Sequence, residues 1–246
     1  MHETALVVMA RYPQAGTTKT RLARILGDET TLALYRAFLI DLAGHFAGAA
    51  CDLYWAYTPA EVDYDAFIRT LIPHQAQQTH SFPQQGGDLG ERLLQAFRWT
   101  YRQGYRTTIV ISSDSPHITN ALIVQAEQAL QDADVVLGPA DDGGYYLIAM
   151  REPHDVFQMI PMSTSRVAAQ TVARAGELGL RVRLLQSLFD VDEYPDLLRL
   201  ADLLHTRTTR APATAAVIAS LRSIYDHDSR HTCDPVRRPF AALDLS

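Results

Sequence analysis

Four polar segments of the sequence directly follow short apolar runs, and each contains residue types that can do chemistry. The first, residues 11–21, contains one glycine, several hydroxyl groups and three cations. Lys19 and Arg21 within it suit phosphate oxygens, because arginine binds them bidentately and lysine acts as a point charge. The GxxxxGK[ST] spacing of a Walker loop is absent. A phosphate-binding loop and an ordinary surface loop both remain open for this segment.

The second segment is centred on Asp114, which follows the apolar run 107–111 and is flanked by Ser113, Ser115 and Pro116. A carboxylate at the carboxyl end of a buried strand can hold Mg²⁺ together with substrate phosphates. Asp-Ser-Pro is also good turn chemistry. The alternative for Asp114 is therefore a turn or a helix cap.

The third segment, residues 141–144, reads Asp-Asp-Gly-Gly and is followed by Tyr145 and Tyr146. Its two glycines allow the backbone to approach a ligand closely, and its carboxylates suit a hydroxyl group or a metal ion. Asp-Gly is equally typical of a β-hairpin turn. On local sequence alone we favour the hairpin.

The fourth segment contains Asp190 and Asp192, which come after the predicted strand 182–185. One of these two carboxylates could complete a metal site with Asp114. Capping of the following helix by Asp192 is the simpler local prediction.

Composition excludes several classes of protein. The 246 residues include 22 Lys and Arg against 28 Asp and Glu, which gives a formal charge of −6. A dedicated nucleic-acid binder is expected to carry the opposite sign. Cys51 and Cys233 are too few for a disulfide framework and lack zinc-site spacing. No run of 18 apolar residues and no signal-peptide pattern is present. We therefore expect a cytoplasmic protein without nucleic-acid or membrane partners.

The elements that position these segments follow from the hydrophobic pattern. Short apolar runs, typical of buried strands, lie at residues 5–10, 53–57, 107–111, 135–137, 145–150 and 182–185. Helical patterns alternate with them, which predicts a mostly parallel α/β sheet covered on both faces. The Gln-rich stretch up to residue 85 has no regular pattern.

The domain organisation predicted from this pattern is simple. Residues 1–210 are predicted to form one α/β domain, and residues 211–246 a C-terminal helix and an irregular tail. We expect the tail from residue 226 either to be mobile or to pack at an interface, such as that of a homodimer.

Taken in order, six blocks of the sequence resemble the bacterial glycosyltransferase-A-like family often labelled arsenosugar biosynthesis glycosyltransferase, or radical-SAM-selenodomain-associated transferase. They span about residues 5–205 and lie at positions 11–23, 87–92, 113–116, 138–147, 163–164 with Thr171, and 190–192. The same order of blocks is similar to that of the 2-phospholactate guanylyltransferases. Two departures from the usual pattern are Met162, where a Trp commonly stands, and Glu193-Tyr194-Pro195, where Thr-Pro-Glu is usual.

This resemblance implies the nucleotide-diphospho-sugar transferase (GT-A) fold, a Rossmann-like three-layer α/β sandwich with one antiparallel strand. It implies Mg²⁺ or Mn²⁺ at Asp114, a nucleotide or nucleotide-sugar donor, and a small-molecule acceptor. We predict glycosyl transfer from a nucleoside-diphosphate sugar. The alternatives are nucleotidyl transfer from a nucleoside triphosphate to a phosphorylated acceptor, and a protein that binds a nucleotide without turnover.

Residue roles follow from the same resemblance and from the side-chain chemistry above. The predicted catalytic residues are Lys19, Arg21, Asp114 and Asp142, and the predicted metal ligands are Asp114 and Asp192. Asp142, or its neighbour Asp141, is expected to bind a hydroxyl group of the sugar or acceptor, or to act as a base. The predicted donor-binding residues are Arg11, Pro13, Gly16, Lys19, Arg21, Gly87, Asp88, Ser113, Gly143 and Gly144.

Overall fold

The computed structural model of the protein describes residues 2–229. Its strands are β1 (Thr4–Arg11), β2 (Asp52–Thr58), β3 (Thr79–Pro83), β4 (Thr107–Ser112), β5 (Val135–Pro139), β6 (Tyr145–Met150) and β7 (Val182–Leu184). Its α-helices are α1 (Thr20–Leu26), α2 (Asp28–Phe46), α3 (Tyr64–Leu71), α4 (Leu89–Arg102), α5 (Asn120–Ala129), α6 (Val167–Glu177), α7 (Tyr194–His205) and α8 (Pro212–Ser229).

The seven strands form one sheet in the order β3-β2-β1-β4-β6-β5-β7. Strand β6 is antiparallel to both of its neighbours, and all other neighbouring strands are parallel. Residues 140–144 join β5 to β6 as a hairpin turn, as predicted. The GT-A fold class, with one antiparallel strand, is therefore confirmed.

The sheet is buried on both faces, which makes three layers. Successive residues of β1 alternate between two hydrophobic cores: Leu6 and Val8 point to one and Ala5 and Val7 to the other. Helices α2, α5, α7 and α8 contribute to the first core, and α4 and α6 contribute to the second. This double coverage explains why the central strands read as continuous apolar runs.

The structure differs from the sequence prediction at the edge of the sheet. The stretch before residue 85, predicted to be irregular, contains the edge strand β3, which pairs in parallel with β2. Only Phe82 of its five residues is buried. An edge strand with one buried side chain carries almost no hydrophobic signal, so its pattern could not reveal it.

The predicted C-terminal helix is present and packs on α2, with Ala211, Thr214, Ile218 and Leu221 buried. Residues 230–246, which include Cys233 and most of the predicted tail, lie outside the described residues. None of the helices in the described part of the chain has the length and hydropathy needed to cross a membrane.

Candidate active site

A cleft of about 740 Å³ lies at the edge of the sheet where the parallel strands β1 to β5 end. This is where open α/β sheets bind their ligands. Eight of the predicted site residues line it: Arg11, Lys19, Arg21, Ser113, Asp114, Asp142, Gly144 and Asp192. The topology therefore brings the four predicted segments to one place.

Lys19 lies at the centre of this cleft, with a side chain that is only 6% exposed. Its Nζ is 2.8 Å from Asp114 Oδ1 and 2.7 Å from Asp192 Oδ1. Burial alone lowers the pKa of an ammonium group, but the two carboxylates outweigh that effect, and the pKa of Lys19 is raised above its ordinary value. Lys19 is therefore a permanent positive charge whose own side chain is shielded from water, while its two carboxylate partners stay open to the cleft.

The backbone of Lys19 is unusual, since it precedes α1 in the left-handed conformation, with φ of 48°. Residues other than glycine rarely adopt this conformation, and such strain persists only where the surrounding contacts hold it. The two ion pairs of the ammonium group are contacts of that kind.

Backbone hydrogen bonds, in addition to the ion pairs with Lys19, connect the segments that carry Asp114 and Asp192. The Asp114 N–H donates to Ser112 Oγ at 3.0 Å, and the Val191 N–H donates to the Asp114 carbonyl at 2.9 Å. The second bond fastens the segment that carries Asp192 to the end of β4. The sequence predicts that these two segments meet, but this backbone hydrogen bond, between residues 77 positions apart, has no local sequence signal.

The local prediction that Asp192 caps α7 is wrong. The N-cap residue is Glu193, and Asp196 Oδ2 accepts a hydrogen bond from the Glu193 N–H at 2.8 Å. The Asp196 carboxylate satisfies the free N–H groups at the start of the helix, as expected for a capping box. The Asp192 carboxylate is thereby left available to the cleft.

The Asp114 and Asp192 carboxylates fit a divalent cation. Both already contact a single cationic nitrogen, and Mg²⁺ or Mn²⁺ bound with nucleotides takes one or two carboxylates and fills its shell with phosphate oxygens and water. Within the described residues, no cluster of three or more acidic, histidine or cysteine side chains is arranged to hold a metal. A cation here would depend on ligands from a substrate.

Asp190 and Tyr35 form a buried layer behind these residues. The Ser115 hydroxyl donates to the Asp190 carboxylate, and burial, together with the nearby Asp114, raises the pKa of Asp190 to about 7. The Tyr35 hydroxyl lies 3.0 Å from Ser113 Oγ and accepts a hydrogen bond from the Arg11 N–H. Burial and Asp114 raise the pKa of Tyr35 to about 12. From sequence, Tyr35 is only a core position of α2.

The hairpin turn forms the opposite wall of the cleft. Asp142 Oδ1 accepts a hydrogen bond from the Gly144 N–H at 2.8 Å, which aims the carboxylate. Gly143 has φ of 90°, and a Cβ on it would lie 1.9 Å from the Ser165 carbonyl oxygen. Only glycine allows this approach, which places the hydroxyl groups of Ser163 and Thr164 in the same wall.

The remaining predicted donor-binding residues do not line the cleft: they are Pro13, Gly16, Gly87, Asp88 and Gly143. Asp88 is the N-cap of α4 and accepts from the Glu91 N–H at 2.8 Å, while Gly87 N–H donates to Glu91 Oε2. Asp141 points away from the cleft to Arg199, at 2.6 Å. Donor binding by these residues stays a prediction.

Among the polar residues of the cleft that sequence reasoning missed are Gln84 and Arg92. Gln84 directly follows β3, so a predicted strand there would have drawn attention to it. Arg92 lies within the GDLGER block, which we interpret from sequence as the start of a helix because Asp88 and Glu91 have the spacing of a helix cap.

Comparisons with known proteins identify relatives of this chain. A family model described as an uncharacterized protein conserved in bacteria (DUF2064) matches residues 44–164. The phosphoenolpyruvate guanylyltransferase of Chloroflexus aggregans is 31% identical over 183 residues, which are 71% of this chain and 86% of that protein.

Two solved structures extend the comparison. A protein from Desulfovibrio desulfuricans G20, provisionally described as a nucleotide-diphospho-sugar transferase, is 31% identical with a TM-score of 0.80, covering 91% of this chain and 96% of its own. The 4-diphosphocytidyl-2C-methyl-D-erythritol synthase of Anaerococcus prevotii is 8% identical with a TM-score of 0.53, covering 82% and 96%. The latter likeness concerns the fold alone.

Proposed function

Because the chain belongs to the family of the phosphoenolpyruvate guanylyltransferase, we propose that it is a metal-dependent nucleotidyltransferase. It would transfer GMP from GTP to a phosphorylated small-molecule acceptor and release pyrophosphate. The guanylyltransferase relative supports this reaction better than the glycosyl transfer predicted from sequence.

The observation that carries the proposal is the buried Lys19 between Asp114 and Asp192. A triphosphate needs fixed positive charge where pyrophosphate departs, and carboxylates where a cation can be held. The cleft supplies both within one cluster, with Arg21 at its side. Preorganised charges of this kind stabilise a transition state by several kcal/mol, on the order of a hundredfold or more in rate per group.

In the proposed reaction, an oxygen of the acceptor phosphate attacks the α-phosphorus of GTP, and the bond between that phosphorus and the bridging oxygen to the β-phosphate breaks. The electron pair leaves with pyrophosphate, whose growing charge Lys19 and Arg21 neutralise. Mg²⁺ or Mn²⁺ held by Asp114 and Asp192 would supply further neutralisation of the phosphate oxygens.

The attacking phosphate needs no general base, since its second pKa is about 6 and it is mostly ionised at neutral pH. We therefore assign Asp142, with Ser163 and Thr164, to holding the acceptor on the far wall of the cleft.

Glycosyl transfer remains the second candidate because the Desulfovibrio protein, at 31% identity, is provisionally described as a sugar transferase. In that reaction an acceptor hydroxyl would attack the anomeric carbon, and the nucleoside diphosphate would leave. The hydroxyl would lose its proton to Asp142, whose carboxylate faces the cleft.

The test is a coupled assay of pyrophosphate release from each nucleoside triphosphate with Mg²⁺ or Mn²⁺ and a panel of phosphorylated acceptors that includes phosphoenolpyruvate. We expect release with GTP that requires an acceptor and metal, that is lost in Asp114→Asn and that is retained in Asp134→Asn, a control outside the cleft. Release of a nucleoside diphosphate from a nucleotide sugar would favour glycosyl transfer. Nucleotide binding without turnover, unchanged in Asp114→Asn, would favour the non-catalytic alternative.

A further inference from the structure

Gln84 has an amide group whose orientation is fixed by the sheet. It follows the edge strand β3, and its backbone N–H donates to the Tyr57 carbonyl at 2.8 Å. Its side chain reaches across the ends of two strands, where Nε2 donates to the carbonyl of Ala56 at 2.8 Å and to that of Ala10 at 3.1 Å. Both N–H groups of the amide are therefore used.

This arrangement leaves the amide oxygen as a free acceptor. A flipped amide would place Oε1 against two carbonyl oxygens, so the hydrogen-bond network itself determines which atom is which. No described residue donates a hydrogen bond to Oε1, and this oxygen is not among the buried, unsatisfied polar atoms of the described residues. Gln84 lines the cleft, so the oxygen is an oriented acceptor available to a ligand.

The cleft that Gln84 lines also has apolar side chains, which suit the uncharged end of a nucleotide. Met9, Leu89 and Leu93 line the cleft together with Gln84, and apolar walls with a few placed polar groups are how proteins bind heteroaromatic rings. An amide oxygen repels phosphate oxygens, which Lys19 and Arg21 attract instead. A nucleoside triphosphate with its phosphates at Lys19 would therefore place its base toward Gln84.

Among the nucleobases, guanine complements the polar groups of Gln84 and Arg92 best. Guanine presents two adjacent N–H donors on one edge, whereas adenine presents only its amino group. Arg92, whose Nε donates to the Gly86 carbonyl at 3.1 Å, lines the cleft as well, and its other N–H groups suit the carbonyl oxygen of guanine.

We propose that Gln84 is a specificity-determining residue whose amide oxygen accepts a hydrogen bond from the N–H edge of guanine. This inference rests on the proposed function, because it presumes that the cleft binds a nucleoside triphosphate. A bound base that covers this acceptor without donating to it leaves the acceptor cut off from water and unsatisfied, so the site discriminates against bases that cannot pair with it.

The test compares the affinities of GTP, ITP and ATP by calorimetry in Mg²⁺ buffer without acceptor. We expect the wild-type protein to bind GTP at least tenfold more tightly than ATP, with ITP, which lacks the 2-amino group, between them. Gln84→Leu should reduce the ratio of GTP to ATP affinity to less than threefold, mainly by weakening GTP. Gln85→Leu is the matched control, because this exposed neighbour does not line the cleft, and its ratio should be unchanged.

The ratio is measured within each variant, so a general loss of stability in Gln84→Leu cannot imitate the result. An unchanged ratio in Gln84→Leu, or a wild-type protein that does not prefer GTP, would overturn the role of Gln84. Pyrophosphate release measured in parallel separates the two ideas. Base discrimination without turnover would overturn only the transfer reaction, turnover without discrimination only the role of Gln84, and no binding of any triphosphate would overturn both.

Discussion

Lys19 differs from the other cations of the cleft because it is buried and has two carboxylate partners, whereas Arg21 is exposed and lies 3.3 Å from the equally exposed Glu193. An exposed ion pair contributes little to the stability of the fold, and its side chains are free to reorient toward a ligand. A buried charge is already oriented and desolvated. We therefore expect Lys19, more than Arg21, to determine the rate of the proposed reaction.

Replacement of Lys19 by methionine should lower kcat on the order of a hundredfold or more, because the charge on departing pyrophosphate loses its buried partner. It should also leave Asp114 and Asp192 facing each other without a counter-charge. Steady-state kinetics of the GTP-dependent reaction measure the effect. Arg24→Met, at an exposed position of α1, the helix that Lys19 precedes, is the control and should stay within about twofold, as expected for a surface substitution. Equal losses in both variants would contradict the special role of Lys19.

At the scale of elements, the hairpin turn and the start of α6 depend on each other through Gly143. The Ala168 N–H donates to the Gly143 carbonyl at 3.0 Å, and the close approach of Ser165 leaves no room for a side chain. These contacts hold Asp142 and Thr164 on one wall of the cleft.

Gly143→Ala should therefore abolish most of the activity, since the hairpin must move away from the loop that precedes α6. Gly48→Ala is the matched control: Gly48 also has a positive φ, 78°, but nothing lies within 4 Å of a Cβ there. Both variants pay the backbone cost of about 1 kcal/mol in the free energy of unfolding. Only Gly143→Ala should raise the KM for the acceptor, and similar kinetics for the two variants would show that the wall tolerates displacement.

Helix α8 is fastened to α2 by a buried carboxylate. Asp41, 2% exposed, accepts hydrogen bonds from the N–H groups of Ala213 and Thr214 at 2.9 and 2.8 Å and from the Thr214 hydroxyl at 2.6 Å. The cap of α8 is thus supplied by a residue 172 positions earlier in the chain.

Asp41→Ala should lower the free energy of unfolding by about 2–4 kcal/mol, because three donors lose a charged partner in a buried position. Urea denaturation measures this change. Asp63→Ala removes an exposed cap of α3 and should cost only about 1 kcal/mol. If the Asp41 variant were no less stable than the Asp63 variant, the fastening of α8 would be negligible.

The contrast between β1 and β3 explains how far sequence could predict the elements. Strand β1 is buried on both faces and reads as an apolar run, whereas β3 has one buried residue and escapes detection. The residues of the candidate site likewise fall into those that local sequence can predict and those that it cannot. Lys19 and Asp114 are predictable because charged residues follow apolar runs, but the role of Gln84 depends on carbonyl groups 74 and 28 positions earlier, which no local pattern reveals.

At the scale of the whole molecule, His117 lies where several elements meet. It is 4% exposed, and the centre of its ring lies 4.5 Å from the centre of the Phe189 ring. The Arg199 guanidinium also packs on Phe189, with its central carbon 4.0 Å from the centre of that ring. Burial, followed by the charges of Arg199 and His45, lowers the pKa of His117 to about 4. The folded protein therefore keeps this histidine neutral where an unfolded chain, with a pKa of 6.5, takes up a proton.

The contribution of His117 to the free energy of unfolding should consequently fall as the pH decreases from about 6.5 toward 4, because over that window this residue binds a proton in the unfolded state and not in the folded state. Below the folded pKa both states are protonated and the loss stops growing. The full shift corresponds to about 3 kcal/mol in the free energy of unfolding, an upper bound for a histidine at this depth.

Urea denaturation at pH 4.5, 5.5, 6.5 and 7.5 measures how steeply the free energy of unfolding changes with pH. His117→Leu should remove the contribution of His117, which changes the slope by about one proton relative to His205→Leu, the control at an exposed position at the end of α7. Identical slopes in the two variants would mean that His117 is protonated inside the fold, and that the elements packed around Phe189 accommodate its charge.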